Sequence, residues 1–156
     1  MPYLLKEDIR QVHLEITNRC NAACPQCSRN VYGAFENPMI KQAQELRIDE
    51  IDSIFSDEFC RQLDLVMFCG TVGDPITSAS TLPAVRILKS RGVKGIWIHT
   101  NGSAQNESWW LEMAALLKDP GDRMVFSVDG LEDTNHLYRR GTSWEKIHKN
   151  MRDYTK

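Results

Sequence analysis

Four short apolar runs, separated by stretches of helical periodicity, do most to limit the folds open to this chain. Val12 to Ile16, Leu63 to Cys69, Gly95 to His99 and Met124 to Val128 have strand character. Ile48, Ile51, Ile54, Phe55 and Phe59 recur at helical spacing before the second run, and Leu82, Val85, Leu88 and Lys89 after it. The clearest helical stripe is Trp110, Met113, Ala114 and Leu117, preceded by the capping residues Asn106-Glu107-Ser108. A last helix is expected from Ser143 through Trp144, Ile147 and Met151. Strands alternating with helices imply an α/β fold, with parallel strands joined by right-handed crossovers. No repeat, low-complexity tract or linker divides residues 1–156, which read as a single domain, and Ser28 to Leu46 is a polar stretch with the composition of a mobile loop.

In parallel α/β sheets, ligands gather where the strands end and loops begin. Each expected strand ends in a polar motif: Cys20 to Cys27, Gly70-Thr71-Val72-Gly73-Asp74-Pro75, Thr100-Asn101-Gly102, and Ser127-Val128-Asp129-Gly130. All four would share one rim. The two glycines of the second motif let backbone approach a ligand closely, and the neighbouring carboxylate can accept hydrogen bonds from an ammonium group. Strand alternation would put Ser127 and Asp129 on a common face.

The first motif carries the chemistry. Cys20, Cys24 and Cys27 fall within eight residues, Cys20-Asn21-Ala22-Ala23-Cys24-Pro25-Gln26-Cys27, on a loop that Pro25 restricts. Three thiolates can hold a four-iron cluster and leave one iron open to a small molecule, as catalytic zinc keeps a vacant position. The same spacing also suits a zinc site, with Cys69 or a histidine as fourth ligand, and that reading stays open here.

Leu14-Glu15-Ile16-Thr17-Asn18-Arg19-Cys20 and the cysteine triplet resemble the first strand and cluster loop of the radical S-adenosylmethionine enzymes. The three later motifs resemble that family's turns after its second, third and fourth strands, in the same order. The resemblance implies a partial (β/α) barrel with parallel strands, of which about four strand-helix units are present here. It implies that Cys20, Cys24 and Cys27 ligate a [4Fe-4S] cluster whose fourth iron chelates S-adenosylmethionine. Gly73 and Asp74 would then hold the methionine ammonium, and Ser127 and Arg139 its carboxylate or the ribose, with Asp129 and Thr100 nearby. Reductive cleavage of the cofactor would yield a 5'-deoxyadenosyl radical that abstracts hydrogen from a substrate, and the electron would come from a reductant protein such as flavodoxin or ferredoxin. Ser127-Val128-Asp129-Gly130-Leu131-Glu132-Asp133, followed by His136 and Tyr138-Arg139, is worded like the family's modifiers of peptide side chains.

Two features depart from the family. Gln26 stands where many members carry an aromatic residue. The family core has roughly six strand-helix units, against the eight of a closed barrel. The chain therefore reads as a domain truncated on its C-terminal side: an N-terminal portion, a split enzyme completed by a second polypeptide, or a form that pairs with its own copy. The fourth strand would be left as an open edge. A zinc-binding interaction module and a non-catalytic fragment are the competing functional readings.

Composition excludes more than it selects. A net charge of -2 gives no general attraction for nucleic acid, and no apolar run is long enough to span a membrane. Met1-Pro2-Tyr3-Leu4-Leu5-Lys6-Glu7-Asp8 is too short in apolar residues and too acidic for a secretory leader. Five cysteines, an odd number, suit a reducing cytoplasm and a metal centre better than a disulfide framework. His13, His99, His136 and His148 lack metal-binding spacing and read as packing or surface residues. Cys60 and Cys69 read as small buried apolar residues, and Trp109, Trp110 and Trp144 as packing.

Overall fold

The computed structural model describes residues 5–40 and 44–156. Met1 to Leu4, half of the segment weighed as a leader, and residues 41–43 of the polar stretch lie outside the described residues. Among the described residues six strands form in chain order: β1 (Gln11–Leu14), β2 (Asn30–Val31), β3 (Phe35–Glu36), β4 (Leu65–Phe68), β5 (Ile96–Thr100) and β6 (Arg123–Phe126). The helices are α1 (Ile48–Ile54), α2 (Asp57–Gln62), α3 (Thr81–Ser90), α4 (Glu107–Leu116), α5 (Asn135–Tyr138) and α6 (Trp144–Tyr154).

The main sheet has the order β1-β4-β5-β6, and every pairing in it is parallel. Partnered residues in parallel strands share a face, so the register divides the sheet cleanly. Leu14, Phe68, Ile98 and Met124 form one row towards the helices, and the first three are buried. His13, Met67, Trp97 and Arg123 form a row on the opposite face. Ile51, Phe55, Val85, Leu88, Trp110 and Met113 cover the helix side. There Trp110 stacks on Phe126 with ring centroids 5.4 Å apart and meets Trp109 edge-on at 4.9 Å.

Local chemistry sets the helix ends. The single stripe expected from Ile48 to Phe59 is two helices, because Ser56 stops one and caps the next by accepting a hydrogen bond from Phe59 N. Asn106 caps α4 by accepting from Trp109 N, and Ser143 caps α6 by accepting from Lys146 N. Trp109 and Trp110 are core residues as expected, whereas Trp144 is partly exposed and stacks on His148.

Two further sequence expectations change. The stretch after Cys27 folds back as the antiparallel β2-β3 hairpin, held by Asn37 N donating to Arg29 O at 2.7 Å. Beyond the undescribed residues, Leu46 N donates to Ile16 O and Asn18 N to Gln44 O, so this segment lies along the chain that leaves β1. The second change is at β6, which ends at Phe126 rather than Val128. Ser127 N still donates to Thr100 O, but Val128 N turns back to Phe126 O and the extended backbone stops there. Among the described residues β6 is an edge strand, and no helix is long and apolar enough to cross a membrane.

Candidate cluster and cofactor site

The four motifs converge at the carboxyl ends of the parallel strands. Cys20, Cys24 and Cys27 line a cavity of about 200 Å³ together with Gly73, Asp74, Thr100, Ser127 and Arg139. Every site residue expected from the sequence is therefore at this cavity except Asp129. The expected alternation of Ser127 and Asp129 fails because β6 has ended. Asp129 is exposed, and its carboxylate accepts a hydrogen bond from Arg139 Nε. Its place is beside the arginine, outside the cavity wall.

The second motif clasps the cysteine loop. Asp74 N donates to Arg19 O at 2.7 Å, and Thr77 Oγ1 donates to the same carbonyl at 2.9 Å. Gly73 packs so tightly that a Cβ there would fall inside contact distance of Thr17 O and 2.8 Å from Thr17 C. The glycine expected to make room for a ligand thus makes room first for the backbone entering the cysteine loop. From the other side, Ala23 N donates to Arg140 O at 2.7 Å, tying the loop to the chain after α5.

Asp74 also binds the third motif. Its carboxylate accepts from Asn101 N at 2.7 Å and from Ile76 N at 3.2 Å, with the Thr100 hydroxyl as a further partner. Burial pushes its pKa up against these bonds, so a cationic group brought beside it would gain a desolvated anionic partner. The Thr100-Asn101-Gly102 turn is held from behind by α6, where Asn150 Nδ2 donates to Gly102 O at 2.8 Å and Ala104 O at 3.0 Å. Gly102 has φ of 74°, and a Cβ there would lie 2.6 Å from the Phe126 ring, so both backbone and packing demand glycine.

The thiols sit in graded surroundings. Cys24 is buried, while Cys20 and Cys27 are partly exposed. Burial raises the Cys20 thiol to about 11, against the hydrogen bond from Ala22 N. Burial also raises Cys24, opposed by the charge and hydrogen bond of Arg139, whose Nη1 lies 3.7 Å from Cys24 Sγ. Among the described residues no three Cys, His, Asp or Glu side chains converge as ligands of one ion. A four-iron cube takes its thiolates on separate irons, so three cysteines spread around a cavity with a polar far wall fit it.

Two wall residues differ from their sequence expectation, Cys69 and His99, while Asn101 and Tyr138 join the wall beside Thr100 and Arg139. Cys69 was expected to be a small buried residue, yet it is half-buried at the cavity, with its carbonyl accepting from His13 Nε2. His99, expected as a packing or surface residue, lines the cavity, and its buried Nε2 has no hydrogen-bond partner among the described residues. Strand alternation could have found both, since Cys69 and His99 fall two residues after Met67 and Trp97 on the face away from the helices. Cys60 is fully buried as expected.

A sequence model of the radical SAM superfamily matches residues 14–156. The chain belongs to this superfamily. Its enzymes use a [4Fe-4S] cluster and S-adenosylmethionine. Radical SAM relatives include the tungsten-containing aldehyde ferredoxin oxidoreductase cofactor-modifying protein of Pyrococcus furiosus, 28% identical over 147 residues, covering 90% of this chain and 38% of that protein. GTP 3',8-cyclase of Parasynechococcus marenigrum is 27% identical over 136 residues, covering 80% of this chain and 35% of the cyclase. The chain thus spans well under half the length of these relatives. Among solved structures, native anSMEcpe with bound AdoMet superposes with a TM-score of 0.68 at 16% identity, over 94% of this chain and 40% of that one. BtrN in complex with AdoMet and 2-DOIA gives 0.55 at 16% identity, over 74% and 44%. These likenesses establish the radical SAM barrel-like fold for the parallel sheet.

Proposed function

We propose that this radical SAM chain binds a [4Fe-4S] cluster through Cys20, Cys24 and Cys27 and presents the remaining iron to S-adenosylmethionine. The observation that carries this reading is the meeting of the three cysteines with Gly73-Asp74, Thr100, Ser127 and Arg139 around one cavity. When bound, cluster and cofactor supply reductive cleavage to a 5'-deoxyadenosyl radical, which abstracts hydrogen from substrate.

The residues divide the remaining work. Cys20, Cys24 and Cys27 give up their protons to become ligands, which burial resists at Cys20 and Cys24 until metal is present. Asp74 receives the methionine ammonium, exchanging part of its desolvation cost for an ion pair. Arg139, already steered by Asp129, stands at the wall for the carboxylate, and Ser127 offers a hydroxyl beside it. The electron comes from a reductant protein such as flavodoxin or ferredoxin.

For the substrate we favour a peptide or protein side chain, on the wording of the segment from Ser127 to Arg139. One solved neighbour was crystallised with AdoMet and a peptide, while a curated relative is named for a nucleotide reaction. The test is anaerobic reconstitution, reduction with dithionite and chromatography for 5'-deoxyadenosine. Wild type should form it and each cysteine-to-alanine variant should not. Wild type holding zinc and no iron after the same treatment would favour the binding-module reading instead.

A further inference from the structure

We propose that the Asn101 side chain, by donating an N–H···S hydrogen bond to Cys20, sets the reduction potential of the cluster carried on that thiolate. This rests on the cluster reading above. Asn101 is 3% exposed, and its amide has a determined orientation. Oδ1 accepts from Ser103 N at 2.9 Å, while Nδ2 donates to Asn21 Oδ1 at 2.9 Å and lies 3.8 Å from Cys20 Sγ. Asn21 is fixed in turn, because its Nδ2 donates to Ser103 Oγ at 2.8 Å. A backbone N–H can only donate, so the oxygen of Asn101 must face Ser103 and its two amide protons face Asn21 and the sulfur.

The consequence is electrostatic. Taking up one electron makes a cluster more negative, and a donor aimed at a ligand sulfur stabilises the reduced form more than the oxidised one. Among the described residues Cys20 has one other donor, the backbone N of Ala22 at 3.4 Å, which a change of the Asn101 side chain leaves in place. The bond from Asn101 N to Asp74 is a backbone bond and survives any change of the Asn101 side chain. Arg139 faces Cys24 in a similar way, but it also pairs with Asp129 and is assigned to the cofactor, so Asn101 isolates the effect.

The experiment is a redox titration of the reconstituted full chain, followed by electron paramagnetic resonance, with iron counted in each sample. Asn101→Leu removes the donor and should make reduction about tenfold less favourable, a fall of about 59 mV for one electron, at unchanged iron content. Asn21→Ala disturbs the same loop but leaves the amide of Asn101 oriented by Ser103, and should shift the equilibrium less than twofold. Should Asn101→Leu fail to take up iron, Asn101→Asp keeps the acceptor for Ser103 N, lacks the donor and should lower the potential at least as much. A loaded Asn101 variant at the wild-type potential overturns this proposal alone, as does an equal fall in Asn21→Ala. A wild-type chain that takes up no cluster overturns the underlying reading and this proposal with it.

Discussion

Gly73→Ala tests whether the second motif supports the cysteine loop as well as facing the cofactor. The added methyl would overlap Thr17 O and lie 2.8 Å from Thr17 C and 3.0 Å from Asn18 Cα, all backbone atoms. Backbone cannot rotate aside as a flexible side chain can, so the two segments must part. Overpacking of this kind costs about 1–3 kcal/mol. Separation also breaks the 2.7 Å bond from Asp74 N to Arg19 O, adding about 0.5–1.5 kcal/mol. A total of about 2–4 kcal/mol lowers the melting temperature of a domain this size by roughly 5–15 °C. Iron uptake should fall as well, because the loop that moves carries Cys20. Gly92→Ala is the control: φ there is 88°, but among the described residues its Cβ would meet only Arg61 Cγ at 3.6 Å. It should cost about 1–2 kcal/mol in backbone strain and leave iron content alone. Thermal melts by circular dichroism with iron analysis decide the matter. A Gly73→Ala protein that melts with wild type and loads fully would show that the clasp does not hold the loop.

Asp74→Asn should weaken S-adenosylmethionine binding by tenfold or more, since a charge-assisted bond worth about 1.5–3 kcal/mol is lost; equilibrium dialysis of the reconstituted variant measures it, and unchanged binding would remove Asp74 from the site. In the metal-free chain, Cys20 rises from 9.0 to about 11 on folding. The folded state thus holds its proton more tightly, and this contribution to stability is complete below pH 9 and lost as pH climbs towards 11. The metal-free protein should therefore lose about 2–3 kcal/mol across that window in urea titrations. Iodoacetamide should also label Cys20 at pH 8 roughly a hundredfold more slowly than an ordinary thiol, because its thiolate fraction is that much smaller. Trp110→Ala, which empties the stack on Phe126, should destabilise by about 3–5 kcal/mol without moving any cluster ligand, a loss readable in the same melts.

The parts of this molecule legible in the sequence are those where one short segment carries its own signal. The four parallel strands show as apolar runs, and Asn106 and Ser143 announce their helices by caps that act within three residues. The cysteine triplet is equally local. What was hidden depends on contacts between distant segments. Nothing near Gly73 in sequence shows that it packs on Thr17, and nothing near Asn101 shows that its amide reaches Asn21 and Cys20. Asp129 falls elsewhere than alternation implies because it lies three residues past Phe126, where β6 stops. Cys69 and His99 are easily undervalued because their types are common in cores, yet one follows the end of β4 and the other lies near the end of β5, both at the cavity.

The central claim is that three cysteines leave one iron free for S-adenosylmethionine. Electron paramagnetic resonance of the anaerobically reconstituted, reduced protein, recorded with and without that cofactor, tests it most directly. The account predicts a four-iron signal whose shape or g-values change when S-adenosylmethionine is added. A four-iron signal indifferent to the cofactor, or none at all, would contradict it.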